Sequence, residues 1–322
     1  MTAPSADRPP EVDIVIVNWN GGALVRACLA SLAAAGDDPA KAVVVVDNAS
    51  VDGSADGLER PDLRLTVLRN PNNAGFGRAC NQGAALGRAP AILFLNPDTE
   101  IGPDAVRLAL AALSADANVG VVGAQLVDGT GRVQRMCARR PSALSLIGQE
   151  LHLDRVMPNR VPTHFMAEWD HAASGPVDQV MGAFLMIRRS LFERLGGFDE
   201  RFHVYYEDVD LCARAWDAGF TVHHLAEATV RHDGQGTTRQ VKARRLFYIQ
   251  RSRILYAAKH HGAASALTLA VATFAVQIPL RLGLALLRRS PREAGQVVHA
   301  AALLAGAMPG LLMRLRRDPP AP

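Results

Sequence analysis

The chain has 322 residues, 49% hydrophobic and 20% charged, with 27 glycines and 19 prolines, which suggests about two domains with a large buried core and excludes a disordered or collagen-like protein. The four cysteines, Cys28, Cys80, Cys137 and Cys212, are widely spaced and form no Cys-x-x-Cys, which excludes a zinc knuckle or disulfide framework and fits a reducing compartment. The formal charge of +4 conceals an asymmetry, since residues 1–230 carry 20 basic and 28 acidic side chains whereas residues 231–322 carry 15 and 3.

The first ten residues contain no apolar run able to serve as a secretory h-region, so the chain is expected to stay where it is made. Val12 to Val17 is a β-branched run of the kind buried in an α/β sheet, and Asn18-Trp19-Asn20-Gly21-Gly22 follows as a turn. Ala23 to Ala35 predicts a helix, Ala42 to Val46 a second strand ending at Asp47-Asn48, and Leu63 to Leu68 a third. Asn81 to Leu86 falls in a helix, and Ala91 to Leu95 predicts a fourth strand ending at Asn96-Pro97-Asp98. Alternating strands and helices imply a mostly parallel sheet.

Ligands of such sheets bind at the carboxyl ends of the strands, where Asn18, Asn20, Asp47 and Asp98 converge. That convergence suggests a nucleotide site, although each acid taken alone also fits an Asx-turn or N-cap. A dehydrogenase would need Gly-x-Gly-x-x-Gly after the first strand, where this chain has Asn-Trp-Asn-Gly-Gly-Ala, and no Walker A loop is present.

Val119 to Ala124 predicts a strand, Leu151 to Val177 an irregular acceptor region, Val180 to Arg188 a further strand, and Arg189 to Leu195 a short helix stopped by Gly196-Gly197. Phe198 to Arg214 ends in a helix with Glu207, Asp208 and Asp210 in its first turn. Acids there favour the helix dipole; alternatively, Tyr205, Tyr206 and Trp216 wall a pocket in which a desolvated carboxylate takes a proton from a sugar hydroxyl. His232 follows the strand-like Thr221 to Val230, beside Asp233 and Gly234. A lone histidine is commonly structural, yet with Asp98 it could hold a divalent cation against a diphosphate.

Seven ordered motifs, VDIVIVNWNG, VVVVDNASVDGS, NPNNAGFGRACNQG, LFLNPDTE, GAFLMIRRSLFERLGGFDERF, YYEDVDLCAR and RHDG, span about residues 12 to 260. Over that span the chain resembles the inverting family 2 glycosyltransferases of the GT-A fold, and within them the bacterial rhamnosyltransferase-like branch. The resemblance implies an α/β, Rossmann-like central sheet and assigns Asp47 to the nucleobase, with Asn18, Asn20, Asn48 and Asn81 on the nucleotide. It implies a Mg2+ or Mn2+ ion and diphosphate at Asp98, a downstream ligand at His232, and a catalytic base at Asp208 beside Glu207. Arg251 and Arg253 are expected either to contact the diphosphate or to form a solvated basic helix face. The usual first acid of the family's Asp-x-Asp is replaced by Asn96, a variant similar to that of the rhamnosyltransferase branch. The Gln-x-x-Arg-Trp motif of processive members is absent, implying a single sugar addition.

The tail is uncharged between His261 and Arg281 and again between Glu293 and Arg314, and Arg288-Arg289-Ser290-Pro291-Arg292 separates the two runs. Both approach the roughly 20 apolar residues of a membrane span, but two spans would place the arginines outside, against the positive-inside preference. A hairpin lying in the cytoplasmic membrane surface satisfies both features; helices packed on the catalytic domain or on a second subunit are the other reading. Nucleic acid is not expected, because the later arginines have no interleaved aromatics.

The expected division is a flexible N-terminus (1–10), a nucleotide-sugar-binding half (11–125), an acceptor-binding and catalytic half (126–240) and a basic, apolar helical extension (241–322). The expected activity moves one sugar, L-rhamnose from dTDP-rhamnose by the resemblance, to a polyprenyl-diphosphate-linked saccharide at the cytoplasmic face of the membrane. The rivals are a catalytically silent nucleotide-sugar-binding scaffold and a nucleotidyltransferase, which would need a glycine-rich basic loop after the first strand.

Overall fold

The computed structural model describes residues 8–36, 39–157, 160–161, 164–166, 168–232, 234 and 242–317, the last four as backbone. Residues 1–7 of the expected flexible terminus and Asp233 lie outside the described residues. The chain divides into two compact units, Met1–Arg139 with Phe165–His203 and Glu207–Thr237, and Arg140–His164 with Val204–Tyr206 and Thr238–Pro322.

The first unit is built on one sheet. Strands β1 (Val12–Asn18), β2 (Lys41–Asp47), β3 (Arg64–Arg69) and β4 (Ala91–Leu95) are joined through helices α1 (Leu24–Ala34) and α2 (Phe76–Ala85). After them come β5 (Thr99–Ile101), α3 (Ala105–Ala115) and β6 (Val119–Val127). The second unit contributes α4 (Ala143–Glu150) and α5 (Leu153–Val156) before the chain returns as β7 (Gly175–Pro176), β8 (Phe184–Arg188), α6 (Arg189–Arg194), α7 (Glu207–Asp217) and β9 (Thr221–His232). The sheet order is β3-β2-β1-β4-β8-β6-β9-β5, with β7 on β9.

The β3-β2-β1-β4 part is parallel throughout, while β8 runs antiparallel to both β4 and β6. β1, β2 and β4 are buried along nearly their whole length, as expected of Val- and Ile-rich strands covered on both faces. One face packs Val25, Leu29 and Leu32 of α1 with Val106 and Leu113 of α3. The other packs Ala79 and Ala84 of α2 with Leu211 and Ala215 of α7. Gly83 is required by that second layer, since a Cβ there would lie 2.5 Å from Val15 Cγ1.

The expected strand from Val180 begins only at Phe184, because the chain turns at Gly182-Ala183. The expected break between residues 125 and 126 is likewise corrected, since β6 runs through it and pairs with both β8 and β9. All four cysteines are free and buried, and burial pushes the Cys28 thiol up to about 12.

The second unit is helical, with α8 (Lys242–Ala272), a π-turn (Thr273–Gln277), α9 (Ile278–Leu287) and α10 (Pro291–Arg317). Gly262, at φ 81° and ψ 171°, breaks α8 into two rods. The expected boundary at residue 240 is corrected here: the Arg140–His164 segment belongs with the tail. Glu150, at the end of α4, pairs with Arg253, His261 bonds the Pro141 carbonyl, and Ser252 Oγ donates to the Val204 carbonyl at 3.0 Å. Two segments, Lys242–Leu287 and Pro291–Met313, are long and apolar enough to cross a membrane, and only 33% and 22% of their most apolar windows is buried, unlike core helices of a soluble protein.

Candidate active site

The register of β1 and β2 places Asn18 opposite Asp47 at the carboxyl ends of two parallel strands. Asn18 Nδ2 lies 2.9 Å from Asp47 Oδ1, 3.1 Å from Ser50 Oγ and 2.9 Å from Ser54 Oγ. Asp47 Oδ2 accepts from the Ser50 backbone at 3.2 Å, so the turn role foreseen for this acid is present. A carboxylate accepts at about four positions, and these contacts leave Asp47 capacity for a ligand. Asn18 Oδ1 is buried without a hydrogen-bond partner. Asn20, in the left-handed region at φ 50°, donates its N–H to Ser50 Oγ and accepts from Val51 N with its side chain.

Asn48 ties this corner to the next loop. Its Oδ1 accepts from Asn70 Nδ2 at 3.0 Å and Ala74 N at 3.1 Å, while its Nδ2 donates to Asn73 Oδ1 and the Gly75 carbonyl. Asn81 is different. Its amide donates to the Phe198 carbonyl and accepts from the Phe198 N–H, each at 2.9 Å, so the expected nucleotide contact is corrected to a staple between α2 and the Phe198 turn.

Asp98 and His232 are brought together by β5, which pairs antiparallel with β9 so that Thr99 faces His232. Asp98 Oδ1 lies 3.5 Å from His232 Nε2, with the side chains 10% and 8% exposed. Gln134, a residue absent from the expectations, holds the histidine at both ends. Its Nε2 donates to the His232 carbonyl at 2.7 Å, which fixes the amide so that Oε1 accepts from Nδ1 at 3.1 Å. Nε2 is then the imidazole nitrogen turned toward the carboxylate. Two acceptors facing one another at this distance need positive charge on or between them, and a cation about 2.1 Å from each would span the gap. The donor set therefore fits a divalent metal. Among the described residues no third His, Cys, Asp or Glu joins the pair.

The three acids of α7 separate into three roles. Asp210 is fully buried against Arg214, whose guanidinium also donates to the Leu195 and Gly197 carbonyls, so this pair is structural. Glu207 is buried with Oε2 unpartnered, and desolvation followed by the Asp208 charge holds its carboxyl well above the usual carboxylate range. Asp208 is half-buried; Oδ2 accepts from Gly182 N at 2.9 Å and Oδ1 from Val209 N at 2.8 Å. Burial raises the Asp208 pKa, against the opposing pull of these N–H groups and of the Gln179 side chain. Asp208 is thus oriented by its neighbours yet accessible. The expected aromatic wall is corrected: Trp216 Nε1 donates to the Val177 carbonyl beside the core, and Tyr206 belongs to the second unit, where it packs on His164 and Tyr256.

Short links join these sites within the first unit. Asn96 N donates to the Ala183 carbonyl, next to the Gly182 that bonds Asp208, and a Cβ on Gly21 would lie 3.9 Å from Pro97. The Asn18–Asp47 corner, the Asn96-Pro97-Asp98 loop and the turn that holds Asp208 are therefore linked within the first unit. Arg251 and Arg253 lie on α8 of the second unit, and the diphosphate expectation for Arg253 is corrected because its guanidinium is committed to Glu150 and the Leu146 carbonyl.

An α/β domain with an acid-and-amide corner at β1 and β2, an Asp–His pair beyond β4 and the adjacent carboxylates Glu207 and Asp208 opening α7 is the arrangement of a GT-A type glycosyltransferase. The sequence pattern of the Glycosyl transferase family 2 matches residues 13–196, and that of the N-terminal domain of galactosyltransferase matches residues 163–233. The chain belongs to glycosyltransferase family 2 and is a glycosyltransferase.

It is 30% identical over 261 residues to the N-acetylglucosaminyl-diphospho-decaprenol L-rhamnosyltransferase of Mycobacterium tuberculosis, covering 77% of this chain and 84% of that protein. It is also 30% identical to the pre-mycofactocin glycosyltransferase of the same species, over 76% of this chain and 47% of the relative. Among solved structures, the Pyrobaculum calidifontis mannosyltransferase PcManGT with GDP-Man and Mn2+ superposes with a TM-score of 0.54 at 21% identity, covering 95% of this chain and 77% of that one. S. aureus TarS 1-349 with UDP-GlcNAc gives 0.53 at 18% identity, covering 90% and 79%. These two likenesses establish the fold.

Proposed function

We propose that this glycosyltransferase moves one L-rhamnosyl group from dTDP-rhamnose, with inversion, to a hydroxyl of an N-acetylglucosaminyl-diphosphate-polyprenol at the cytoplasmic membrane face. The observation that carries the reading is the 30% identity to the mycobacterial rhamnosyltransferase over most of both chains. The apolar, poorly covered helices of the second unit support a membrane-associated enzyme.

Asp47, with Asn18 and Asn48, holds the nucleobase end of the donor; its carboxylate accepts from a pyrimidine N–H. Asp208 takes the proton of the acceptor hydroxyl as that oxygen attacks the anomeric carbon from the face opposite the nucleotide. The bond to the diphosphate breaks in the same displacement, so the configuration inverts. Gly182 N–H and the Gln179 side chain keep Asp208 aimed. Asp98 and His232 would hold a divalent cation, which supplies positive charge for the departing diphosphate when bound.

The test incubates purified protein with dTDP-rhamnose and the lipid-linked acceptor and measures dTDP release and the mass of the product. Loss of turnover in EDTA, restored by Mn2+ or Mg2+, is expected. Asn96, in place of an acid, favours one second reading, a nucleotide-sugar-binding scaffold; binding of dTDP-rhamnose without release of dTDP from any acceptor would establish that reading instead.

A further inference from the structure

The first unit buries a pair of histidines that the transfer chemistry does not use. His171, in the loop before β7, and His224, on β9, are both buried, with ring centroids 5.6 Å apart. Trp169 stacks on His171 at 4.3 Å. His171 also holds a left-handed backbone at φ 63°, which a residue with a β-carbon adopts only where its contacts impose it.

Hydrogen bonds fix the charge of the pair. The Cys137 backbone N–H donates to His171 Nε2 at 3.2 Å, so this nitrogen is a bare lone pair, and Nδ1 carries the proton that it gives to the Trp169 carbonyl at 3.0 Å. His224 Nε2 donates to the His171 carbonyl at 3.2 Å, which leaves His224 Nδ1 unprotonated and buried without a partner. Both rings are therefore neutral. A proton added to His171 Nε2 would face the Cys137 N–H donor to donor and break that bond.

The stretch that this bond holds leads to the Asp98–His232 pair. Among the described residues, 134–137 pair with no strand; they run from Gln134, whose N–H bonds the Leu126 carbonyl of β6, to Ala138, whose N–H bonds the Gln179 carbonyl. Gln134 is the residue that grips His232 at both ends. Gln134, Cys137, His171 and His224 line one cavity of about 10 Å³, room for a single water, so the histidine pair stands directly beside the Gln134 clamp.

We propose that His171 is a positioning residue for the Asp98–His232 pair, whose neutral ring holds the 134–137 stretch so that Gln134 stays on His232. Its consequence for transfer rests on the reading of that pair as the cation site; the latch itself does not. Acid releases the latch. Burial pushes both imidazoles below the ordinary value of 6.5. Arg135 also opposes protonation of His171, whereas Asp170 and Glu168, the latter paired with Arg139, favour it. Glu227, bonded to Ser174, favours protonation of His224, and His171 opposes it. The Cys137 thiol, pushed up to about 12 by burial, stays neutral. The holding contribution is complete above the ordinary histidine value and is lost as pH falls through the lowered one.

The experiment compares the full parent chain with His171→Gln, whose amide can accept from Cys137 and does not titrate, and with His171→Leu, which offers no acceptor. In the metal-free chain at about pH 8, spectra of 15N-labelled histidine should show His232 with its proton on Nδ1; His171→Gln should keep that signal and His171→Leu should lose it. Mn2+ affinity at the same pH should be close to that of the parent chain in His171→Gln and about 5- to 10-fold weaker in His171→Leu. On going to about pH 5.5 the parent should lose a further 3- to 10-fold relative to His171→Gln, since titration of His232 itself is common to both. Over that range Trp169 fluorescence should change in the parent chain, where its stacked partner becomes a cation, and stay level in His171→Gln. An unchanged His232 signal in His171→Leu overturns the proposal, as do identical pH responses of the parent chain and His171→Gln. Should His171→Leu fail to fold, the pH comparison of the other two decides. If Mn2+ binds to none of the chains, the cation reading falls while the His232 signal still decides the latch.

Discussion

Asp208 and Glu207 are adjacent and both shifted upward, but Glu207 is buried whereas Asp208 is half-buried and held by the N–H groups of Gly182 and Val209. Asp208→Asn keeps the shape and the Gly182 contact but cannot take a proton. Turnover should fall by about 10²- to 10⁴-fold with the nucleotide Kd unchanged, as single-turnover kinetics and calorimetry would show. Because the raised pKa belongs to a group that must be ionised, the acid limb of the rate profile should lie above the ordinary aspartate range. A limb at the ordinary position would argue against this assignment.

Glu207 makes the opposite prediction, about stability. Its pKa is raised in the folded state, so its contribution to stability is complete below the ordinary value of 4.5 and is lost as pH rises through the elevated one. Glu207→Gln, neutral at every pH, should match the parent chain in acid and unfold at a higher temperature in alkali, and thermal melts across that range test it. At the Asp98–His232 pair proposed to hold the cation, Gln134→Leu removes both bonds to His232. Mn2+ affinity read by electron paramagnetic resonance should drop by about 10- to 100-fold, with unchanged melting in the absence of metal.

Among the elements, the loop entering α2 is closely packed. Gly75 has φ 91°, and a Cβ there would lie 2.7 Å from both Nδ1 and the carbonyl oxygen of His203. Gly75→Ala should cost about 1–3 kcal/mol. Since the Gly75 carbonyl accepts from Asn48, dTDP-rhamnose affinity should fall along with the melting temperature. A variant that melts like the parent would show that the loop relaxes freely.

The strand-and-turn half of the site was legible in the sequence because β-branched runs ending in Asn18, Asp47 and Asp98 are local patterns. Asp98 and His232 were already paired in the sequence as a candidate cation site, but the geometry that joins them, the three-residue β5 and its antiparallel pairing with β9, is announced by no periodicity. Gln134 stands in a polar stretch without a motif, and 98 residues separate it from the histidine that it holds. The attachment of α4 to the tail was hidden for the same reason, since Glu150 acquires its meaning only from Arg253, 103 residues later. Asn81 misled because its motif position is that of a ligand contact while its amide bonds the Phe198 backbone and the Glu200 carboxylate.

At the scale of the molecule, the charge asymmetry and the apolar surface have one explanation. The first 230 residues are net acidic and the remainder strongly basic, and the basic part carries Leu280, Leu284 and Leu287 at 43%, 42% and 82% exposure along one helix. Under the membrane attachment we propose, the exposed leucines at helical spacing enter a lipid interface while the connector arginines Arg288, Arg289 and Arg292 meet anionic head groups. Each leucine withdrawn from water contributes about 1.5–3 kcal/mol, whereas the arginine contribution is screened by salt. The pair Leu284→Glu with Leu287→Glu, on positions that support no core, should reduce co-flotation with anionic vesicles more than tenfold without altering the melting temperature. Raising the salt should weaken the parent chain's binding only in part, because the apolar share persists. Full release by salt alone, or undiminished flotation of the double variant, would assign membrane attachment to charge or to another surface.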